Sequence, residues 1–523
     1  MPERSERIIL ALCVVAAAGH AALYLGLSLE RIGYPFELEW MESGSLEHVL
    51  RVLRGQPLYV PASIDFVPFP YPPFYYYAAA GFAELVGPGF LPLRAVSLLS
   101  SLGSAAVIAR FVARDSGRAV YGFVAAGIFL GTWRASGLYF DVARLDSLFT
   151  FLLLASVFAL RFQRGRRGLV AAAILGALAV LTKQTGAAVF GLLSLWCIWA
   201  DWRSHGRDVS SLRDWRRLWY FVLPFAASVG LATLLLETRD GAFLRYVIAV
   251  QPGHAVKWGM VGWFFWHDLL LTLPVPSLFV GVWLGLLAPS GETRSRDEET
   301  ARVFYLAVLV GVLIACLVPR IKVGGAANNL ILVHAWLAAM FGVCVARLDA
   351  WLAQAAPRSP HPVRLGRVRS HLPGIVAVCA LVQLLVLVRV PSGYVPSAAD
   401  LRAGRSLAER VAAIEGEVLM PVQGHVAGEA GKRVYAHQMP VLDYSKSGLA
   451  DAEALRASYE TAIREKRFAA VIDSNTAFVR RYLPDGLLEQ HYRMQGWLFE
   501  DTRVLTPVSG AQIRVGTLWL PRE

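Results

Sequence analysis

The chain has 523 residues, of which 56% are hydrophobic and 17% charged, and its formal net charge is +12. Soluble proteins average about 45–50% apolar and about 25% charged residues, so much of this chain is expected to face lipid. This composition excludes a soluble enzyme and a disordered scaffold. The basic residues lie in short loops between apolar runs rather than in a tract that could follow a phosphate backbone, so no nucleic-acid partner is expected.

Apolar runs that could form membrane-spanning helices follow one another over residues 1–390. A helix needs about 17–25 residues to cross the hydrocarbon core. The runs are Ile8–Ser28, Tyr75–Val86, Leu91–Val112, Val120–Gly131, Ser147–Phe162, Gly168–Thr182, Gly186–Ala200, Leu218–Leu236, Val261–Leu287, Val303–Val318, Ala327–Val345 and Ile375–Val390. Tyr75–Val86 is short and begins in an aromatic stretch, so we expect it to be interfacial or re-entrant. The pattern predicts an α-helical polytopic membrane protein with about 11 crossings.

Lysine and arginine density in the loops predicts the orientation in the cell (inner or plasma) membrane. Segments 161–168, 201–217, 290–301 and 346–372 hold 16 basic residues in 64 positions, against 10 in 92 for segments 28–72, 132–146, 237–260 and 319–326. Basic loops stay on the cytoplasmic side. The N-terminus is therefore expected in the cytoplasm, and the segment after residue 390 outside it.

Residues 391–523 mix polar and apolar positions and are predicted to form a small extracytoplasmic α/β domain. About 130 residues are enough for an independent core. Helical and alternating patterns predict two helices and three strands. The helices are Ala399–Ile414 and Ala452–Arg464, and the strands are Phe468–Ile472, Tyr492–Phe499 and Ile513–Leu520. His425, His437 and Asp443 are scattered over predicted loops and are expected to be structural.

The first external loop, residues 28–73, carries clustered acidic residues. Glu39 and Glu42 are three apart, so on a short helix they would share one face, and they stand beside the interfacial residues Trp40 and Met41. Carboxylates held against apolar surface have raised pKa values and can act as bases. The alternative is that these acids only keep the loop solvated. Tyr71 belongs to the aromatic run that follows, in which most tyrosines are expected to anchor the interface.

The second external loop ends with Asp141, Arg144 and Asp146 just before an apolar run. Two acids and an arginine at the mouth of a spanning helix are costly unless they are used. Two simpler interpretations stay open. Asp146 could only cap the helix, and Asp141 and Arg144 could form an ordinary ion pair.

Cations recur at other external turns. They are Lys183, Arg320 and Lys322, and the last two precede Gly324-Gly325, where backbone can approach a ligand closely. Taken together they are typical of a phosphate-binding cluster. The alternative is that each one extends from the membrane edge toward water.

Several of these elements, in their order and spacing, resemble the GT-C superfamily of polytopic glycosyltransferases. The most similar branch is the one that includes protein mannosyltransferases and the lipid A aminoarabinose transferase. The elements are the acidic first loop, Gly55–Tyr59, Tyr71–Tyr77, Arg144–Asp146 and Leu181–Gln184. The resemblance spans roughly residues 8–350. It implies transfer of a sugar from a polyprenyl-phosphate donor to an acceptor hydroxyl outside the membrane, with inversion. That branch usually has adjacent Asp-Glu in the first loop, whereas here Met41 precedes Glu42 and the other acid is Glu39.

On this hypothesis each candidate residue has a role. Glu42, with Glu39 as second choice, is the general base. Lys183, Arg320 and Lys322 bind the lipid phosphate, and the acceptor or the sugar is oriented by Asp141, Arg144, Asp146 and Tyr71. The lipid tail of the donor would lie between helices, in contact with membrane lipid, and the acceptor could be a lipid, a glycan or a protein.

The rival hypothesis is a transporter or flippase of lipid-linked saccharide. Transporters tend to carry charge at mid-membrane on broken helices and to show repeated halves, whereas these charges gather at external loop–helix junctions and no repeat is visible. No cofactor is expected to be required. A divalent metal is possible, although no spacing demands one. The five cysteines lie inside apolar runs without metal-ligand spacing, so neither a disulfide framework nor structural zinc is expected.

Overall fold

The structure, a computed structural model, describes residues 2–163, 165–205, 214–285, 296–355, 362–389 and 393–523. Residues up to 389 are almost entirely helical. The helices of this part are α1 (Pro2–Arg31), α2 (Glu42–Leu53), α3 (Phe74–Val86), α4 (Phe90–Ser116), α5 (Ala119–Gly131), α6 (Asp146–Phe162), α7 (Arg166–Val180), α8 (Gly186–His205), α9 (Leu223–Asp240, preceded by a π-helical turn, Leu218–Val222), α10 (Gly259–Trp263, continued by a π-helical segment, Phe264–Leu271), α11 (Pro274–Gly285), α12 (Arg296–Arg320), α13 (Ile331–Ala355) and α14 (Pro362–Val386).

Six helices among the described residues are long and apolar enough to cross a membrane. A further pair, Gly259–Leu271 and Pro274–Gly285, meets at 106° and would add a seventh if it is one span. The break falls where Pro274 and Pro276 follow, because proline cannot continue the hydrogen-bond ladder of a helix. The chain is therefore a multi-pass α-helical membrane protein, as predicted. The count of about 11 crossings stays a prediction.

The helices differ in how deeply they are buried. The most apolar part of the segment 327–354, which contains α13, is 94% buried inside the protein, whereas that of the segment 218–240, which contains α9, is 6% buried. A helix that is apolar all round can face either protein or lipid. Helix α13 forms the centre of the bundle and α9 its surface.

Some sequence predictions fall on residues outside those that the structure describes. The loops 161–168, 201–217, 290–301 and 346–372, from which the orientation is predicted, are each described only in part. The proposed domain boundary between residues 390 and 391 also lies outside the described ranges. The orientation in the membrane and that boundary therefore stay predictions.

The C-terminal region contains a small sheet surrounded by short helices, as predicted. Its four strands are β1 (Val418–Leu419), β2 (Ala470–Ser474), β3 (Tyr492–Trp497) and β4 (Val515–Pro521). They have the order β1-β2-β4-β3, with β1 and β2 parallel and the other pairs antiparallel. Strands β2 to β4 lie at the three predicted positions, and the two-residue β1 is too short to leave a sequence pattern. The helices are α15 (Ala398–Ala413), α16 (His425–Glu429), α17 (Gln438–Ser445), α18 (Ala452–Arg464), α19 (Phe478–Tyr482) and α20 (Leu487–His491).

The C-terminal domain packs directly on the loop between α1 and α3. The Ala436 amide donates to the Ile64 carbonyl at 2.9 Å, and the Ser509 amide donates to the Leu38 carbonyl at 3.0 Å. Gly404 packs so closely on the Phe36 ring that a Cβ there would lie 2.2 Å from a ring carbon. This contact brings two distant parts of the sequence together around one cavity.

Candidate active site

A cavity of about 640 Å³ lies where the α1–α3 loop, the turn before α6, the 319–326 turn and α17 meet. Pockets of this size bind small ligands when a few polar groups converge in them. The polar residues that line it come from both the helical region and the C-terminal domain. They are Glu39, Tyr71, Tyr139, Arg144, Lys183, Gln184, Thr185, Gln251, His254, Lys322, Asn328, Asn329, Asp443 and Lys446.

Glu39 is the carboxylate of the first loop that borders this cavity. It is fully buried, and its Oε1 has no hydrogen-bond partner within the part of the chain that the structure describes. Its Oε2 accepts from the Met41 amide at 3.1 Å and lies 3.6 Å from Arg144 Nη1. Burial raises the pKa of Glu39 to about 7, although the Arg144 guanidinium acts in the opposite direction. A carboxylate with this pKa can exchange a proton near neutral pH.

Glu42 is in a different environment from the one expected. Helix α2 begins at Glu42, so Glu39 precedes the helix and the two acids do not share a helical face. Both oxygens of Glu42 bind Arg94, at 3.0 and 2.6 Å, and they also accept from the Ala143 and Leu38 amides at 2.7 Å. Since Glu42 and Arg94 are both 0% exposed, this carboxylate is occupied in holding the loop on α4. Of the two acids, Glu39 lines the cavity and Glu42 does not.

Asp146 begins α6 and forms a buried charged cluster with Lys183. Lys183 Nζ donates to Asp146 Oδ1 at 2.7 Å and to Asn329 Oδ1 at 2.8 Å, while Asn328 Nδ2 donates to both Asp146 oxygens at 3.1 Å. Asp146 therefore binds side chains from two other segments, and the helix-cap interpretation does not describe it. The cluster joins α6, the α7–α8 turn and the segment before α13 at the wall of the cavity.

Asp141 and Arg144 do not pair with each other. Asp141 forms a buried ion pair with Arg31 at the end of α1, with Nε to Oδ2 at 2.7 Å. Arg144 instead lies between Glu39 and Asp146, with Nη1 3.6 Å from Glu39 Oε2 and Nε 3.9 Å from Asp146 Oδ2. Its Nε has no hydrogen-bond partner among the described residues. The alternative interpretation, an ordinary ion pair between Asp141 and Arg144, therefore does not describe these residues. Asp141 is not among the residues that line the cavity, whereas Arg144 and Tyr71 are.

The three external cations do not all reach the cavity. Lys183 and Lys322 line it, and Lys322 Nζ donates to the Gln251 carbonyl at 3.0 Å. Arg320 is turned away because its Nε binds Asp268 at 2.8 Å and its Nη1 binds the Gly325 carbonyl at 3.0 Å. The expected three-cation cluster is therefore reduced to two lysines, of which Lys183 already holds Asp146.

The C-terminal domain contributes two charged groups to the cavity wall. Asp443 of α17 and Lys446, which directly follows this helix, line the cavity, and Asp443 Oδ1 lies 3.4 Å from His254 Nε2. Burial raises the pKa of Asp443 to about 6. Asp443 was expected to be a structural loop residue, whereas it lies in a helix and borders the cavity. His425 and His437, expected to be structural, are buried against Ser43 and Trp40.

One side of the cavity is apolar. It includes Ile248, Val318 and Val323, which are 62%, 46% and 36% exposed on the outer surface of the helices. Large apolar side chains on the surface of a membrane protein face lipid tails. The cavity thus connects a charged interior with an apolar rim.

Among the described residues, no group of three or more histidine, cysteine, aspartate or glutamate side chains is arranged to hold a metal ion. All five cysteines are unpaired.

Comparison with known proteins identifies the fold. The family profile for dolichyl-phosphate-mannose-protein mannosyltransferase (PMT_2) matches residues 70–211. ArnT from Cupriavidus metallidurans in the apo state is similar over 96% of this chain and 98% of its own, with a TM-score of 0.56 at 14% identity. The same protein bound to undecaprenyl phosphate gives a TM-score of 0.53 at 14% identity, again over 96% of this chain and 98% of its own.

A more distant similarity is to the oligosaccharyltransferase of Archaeoglobus fulgidus in complex with Zn and sulfate. It has a TM-score of 0.52 at 12% identity, over 97% of this chain and 72% of that one. No curated protein sequence matches significantly. The chain therefore shares the fold of ArnT and of this oligosaccharyltransferase, which is the fold that the sequence resemblance to the GT-C superfamily implied.

Proposed function

We propose that this chain is an integral membrane glycosyltransferase that moves a sugar from a polyprenyl-phosphate donor to an acceptor hydroxyl. The observation that carries the proposal is the single cavity that combines the Glu39 carboxylate, the Lys322 ammonium and a lipid-facing apolar rim. Such a reaction needs a base for the acceptor, a cation for the phosphate and a place for the lipid tail. We propose that it takes place on the extracytoplasmic side of the cell membrane, where the loop charges place the C-terminal domain.

Glu39 acts as the general base. Its pKa of about 7 leaves a substantial fraction ionised at neutral pH, and the unpartnered Oε1 is free to accept a proton. Arg144, 3.6 Å away, stabilises the ionised form and is itself held by Asp146. Glu42 keeps the loop on α4 through Arg94 and is a positioning residue.

The donor phosphate binds at the 319–326 turn. Lys322 supplies the positive charge, and the neighbouring Gly324-Gly325 backbone allows close approach of phosphate oxygens. The isoprenoid tail then leaves past Ile248 and Val318 into lipid. The structure of ArnT with undecaprenyl phosphate supports this class of donor for a chain of the same fold.

The chemistry is a single displacement. The acceptor oxygen attacks the anomeric carbon while its proton passes to Glu39, the bond from that carbon to the phosphate oxygen breaks, and polyprenyl phosphate leaves with the electron pair. Attack from the side opposite the phosphate inverts the anomeric centre. The leaving phosphate needs no proton because Lys322 and nearby donors stabilise its charge. We therefore expect turnover to survive removal of divalent metals with EDTA.

A donor screen tests the proposal. Purified protein in nanodiscs is incubated with polyprenyl-phosphate sugars that differ in the sugar and in chain length, and free polyprenyl phosphate is measured by mass spectrometry. We expect release by the wild type, at least tenfold less by Lys322→Ala, and unchanged release by Lys257→Ala, a matched lysine that does not line the cavity.

Two outcomes of the screen would contradict the proposal. Equal release of polyprenyl phosphate by wild type and Lys322→Ala would show that the donor phosphate does not bind at the 319–326 turn. Binding of a donor without release, together with its movement between leaflets of a vesicle, would identify a flippase instead.

A further inference from the structure

A second cavity, of about 630 Å³, lies in the C-terminal domain beside the first. Trp40, Leu442 and Ile513 line both cavities and so form their common wall. Trp40 directly follows Glu39 in the chain. A ligand in this second cavity, which we call the outer cleft, would therefore lie against a wall that adjoins the candidate base.

The side chain of Gln438 indicates that the outer cleft binds a ligand. Its side chain lines the cleft and is only 1% exposed, yet its Oε1 has no hydrogen-bond partner among the described residues. Buried polar atoms in native proteins are nearly always hydrogen-bonded. An unpartnered amide oxygen at a cavity wall is suited to accept a hydrogen bond from a ligand hydroxyl or amide.

The charge of the outer cleft favours an anionic ligand. It is lined by Arg456 and Arg481 and by one acid, Glu453. Arg456 lies 3.6 Å from Glu460, whereas the exposed Arg481 guanidinium makes no ion pair among the residues that the structure describes. Planar guanidinium groups bind carboxylate or phosphate through paired hydrogen bonds.

Aromatic side chains complete the lining. Trp40 is partly exposed, and Phe478 and Tyr482 stack on each other with ring centroids 5.5 Å apart. An aromatic face can pack against the apolar face of a sugar ring while amide and guanidinium groups bind its polar edge. This mixture favours an acidic saccharide over a lipid tail, which would need a continuous apolar surface.

We propose that the outer cleft binds the acceptor, and that this acceptor is a saccharide carrying a carboxylate or phosphate group. Arg456 and Arg481 bind the anionic group, Gln438 binds a hydroxyl, and the hydroxyl to be glycosylated reaches Glu39 past Trp40. The inference rests on the proposed transferase function, which it extends by naming the acceptor class.

Binding to an array of microbial glycans tests the assignment. Full-length protein in nanodiscs is applied to an array that carries acidic glycans, neutral glycans and acidic peptides. We expect wild type to bind a subset of acidic glycans, and Arg481→Ala to lose at least tenfold in affinity for them. Arg480→Ala is the matched control, because Arg480 pairs with Glu489 and does not line the cleft.

Gln438→Met provides a second variant that distinguishes binding from folding. It removes an unpartnered buried oxygen, so the midpoint of thermal unfolding should stay the same or rise while glycan affinity falls at least fivefold. A glycan signal that Arg481→Ala and Gln438→Met both leave intact would overturn the proposal. So would equal binding of acidic peptides, or no binding to any glycan.

A donor-site variant separates this inference from the proposed function. Lys322→Ala should bind the array like wild type because Lys322 does not line the outer cleft. If glycans bind through Arg481 but the donor screen gives no release, the transferase proposal and the acceptor assignment both fail and the cleft is a saccharide-binding site only. If release occurs but no glycan binds, the acceptor assignment alone fails.

Discussion

Buried charged clusters lie at both ends of the helix bundle, and they differ in how completely their atoms are paired. Near the end of α4, Asp115 accepts hydrogen bonds from Tyr305 at 2.6 Å, Arg347 at 3.1 Å and Arg161 at 3.3 Å. Asp115 and Tyr305 are almost fully buried. This cluster joins α4, α6, α12 and α13, with both oxygens of Asp115 bonded.

The other cluster lies about 30 Å away along α4, at 1.5 Å per residue. There Glu39 Oε1 and Arg144 Nε are buried without hydrogen-bond partners among the described residues, and both residues border a cavity of about 640 Å³. Buried charged groups whose donor and acceptor atoms are all hydrogen-bonded hold helices together. Buried charged groups that border a cavity and still have an atom without a hydrogen bond can bind a substrate. Pairing, rather than burial or charge, therefore distinguishes the candidate active site from a structural cluster.

Among the variants that test this difference between the two clusters, Glu39→Gln is expected to have the largest effect on turnover. An amide cannot take the proton of the acceptor, so turnover should fall by about 10²- to 10⁴-fold, while the protein stays folded because Glu39 makes few bonds. Release of polyprenyl phosphate measures turnover, and thermal unfolding measures folding.

Glu42→Gln is the paired control for that change. It leaves Arg94 buried with reduced counter-charge, so it should destabilise the fold by about 3–5 kcal/mol. A well-folded Glu42→Gln variant without turnover, together with an active Glu39→Gln variant, would return the base assignment to Glu42.

Asp115→Asn should give the opposite result from Glu39→Gln. It removes the charge that Arg161 and Arg347 share, and the free energy of unfolding should fall by about 3 kcal/mol. Turnover per folded molecule should not change. Asp349→Asn is the control, because its ion pair with Arg369 is exposed and should contribute less than about 1 kcal/mol. If folded Asp115→Asn molecules lost turnover, the Asp115 cluster would not be purely structural, and the distinction between the two clusters would be wrong.

Turnover should depend on pH because Glu39 must be ionised to act. Below a pKa of about 7 the rate should fall about tenfold per pH unit. Since burial raises this pKa from 4.5, the folded state binds the proton more tightly than the unfolded state. The contribution of Glu39 to stability is therefore fully present below pH 4.5 and is lost as the pH rises through about 7.

The measurement is turnover and unfolding temperature at pH 5 to 9. Asp443→Asn serves as a control, since Asp443 also has a raised pKa, about 6. If the pH profile of turnover keeps its midpoint near 7 in Asp443→Asn, the result supports Glu39 as the titrating base. If turnover in this variant no longer depends on pH, Asp443 is the titrating group.

The smallest effect is expected from Gly510→Ala. A Cβ at this position would lie 2.6 Å from the Tyr139 hydroxyl oxygen and 2.7 Å from Glu39 Oε1, so turnover should fall about five- to tenfold as the carboxylate shifts. The position also has a φ of +72°, which costs a side chain about 1 kcal/mol. Gly486→Ala has a similar φ of +75° but no close neighbour. It should lose the same stability and keep full turnover.

The sequence predicted the helical elements and the outer sheet well, because lipid-facing runs and alternating strands leave strong local patterns. It also placed charged candidates at external loop–helix junctions, namely Glu39, Glu42, Asp141, Arg144, Asp146, Lys183, Arg320 and Lys322, of which Glu39, Arg144, Lys183 and Lys322 line the cavity. It did not predict the pairing among these charges. Arg94 stands inside the run Leu91–Val112, and an arginine in a spanning run is costly enough to have signalled a buried carboxylate partner.

By itself, the amino-acid sequence determined that the chain is a polytopic membrane protein, where its helices lie, and which end of them carries unusual charge. These follow from the cost of exposing polar groups to lipid, which acts on every residue locally. Only the tertiary structure decided that Glu42 binds Arg94 while Glu39 borders the cavity, that Arg320 binds Asp268, and that α17 of the C-terminal domain forms one wall. Those choices depend on distances between segments far apart in the chain, because an ion pair or hydrogen bond forms only where packing brings the two groups within about 3–4 Å.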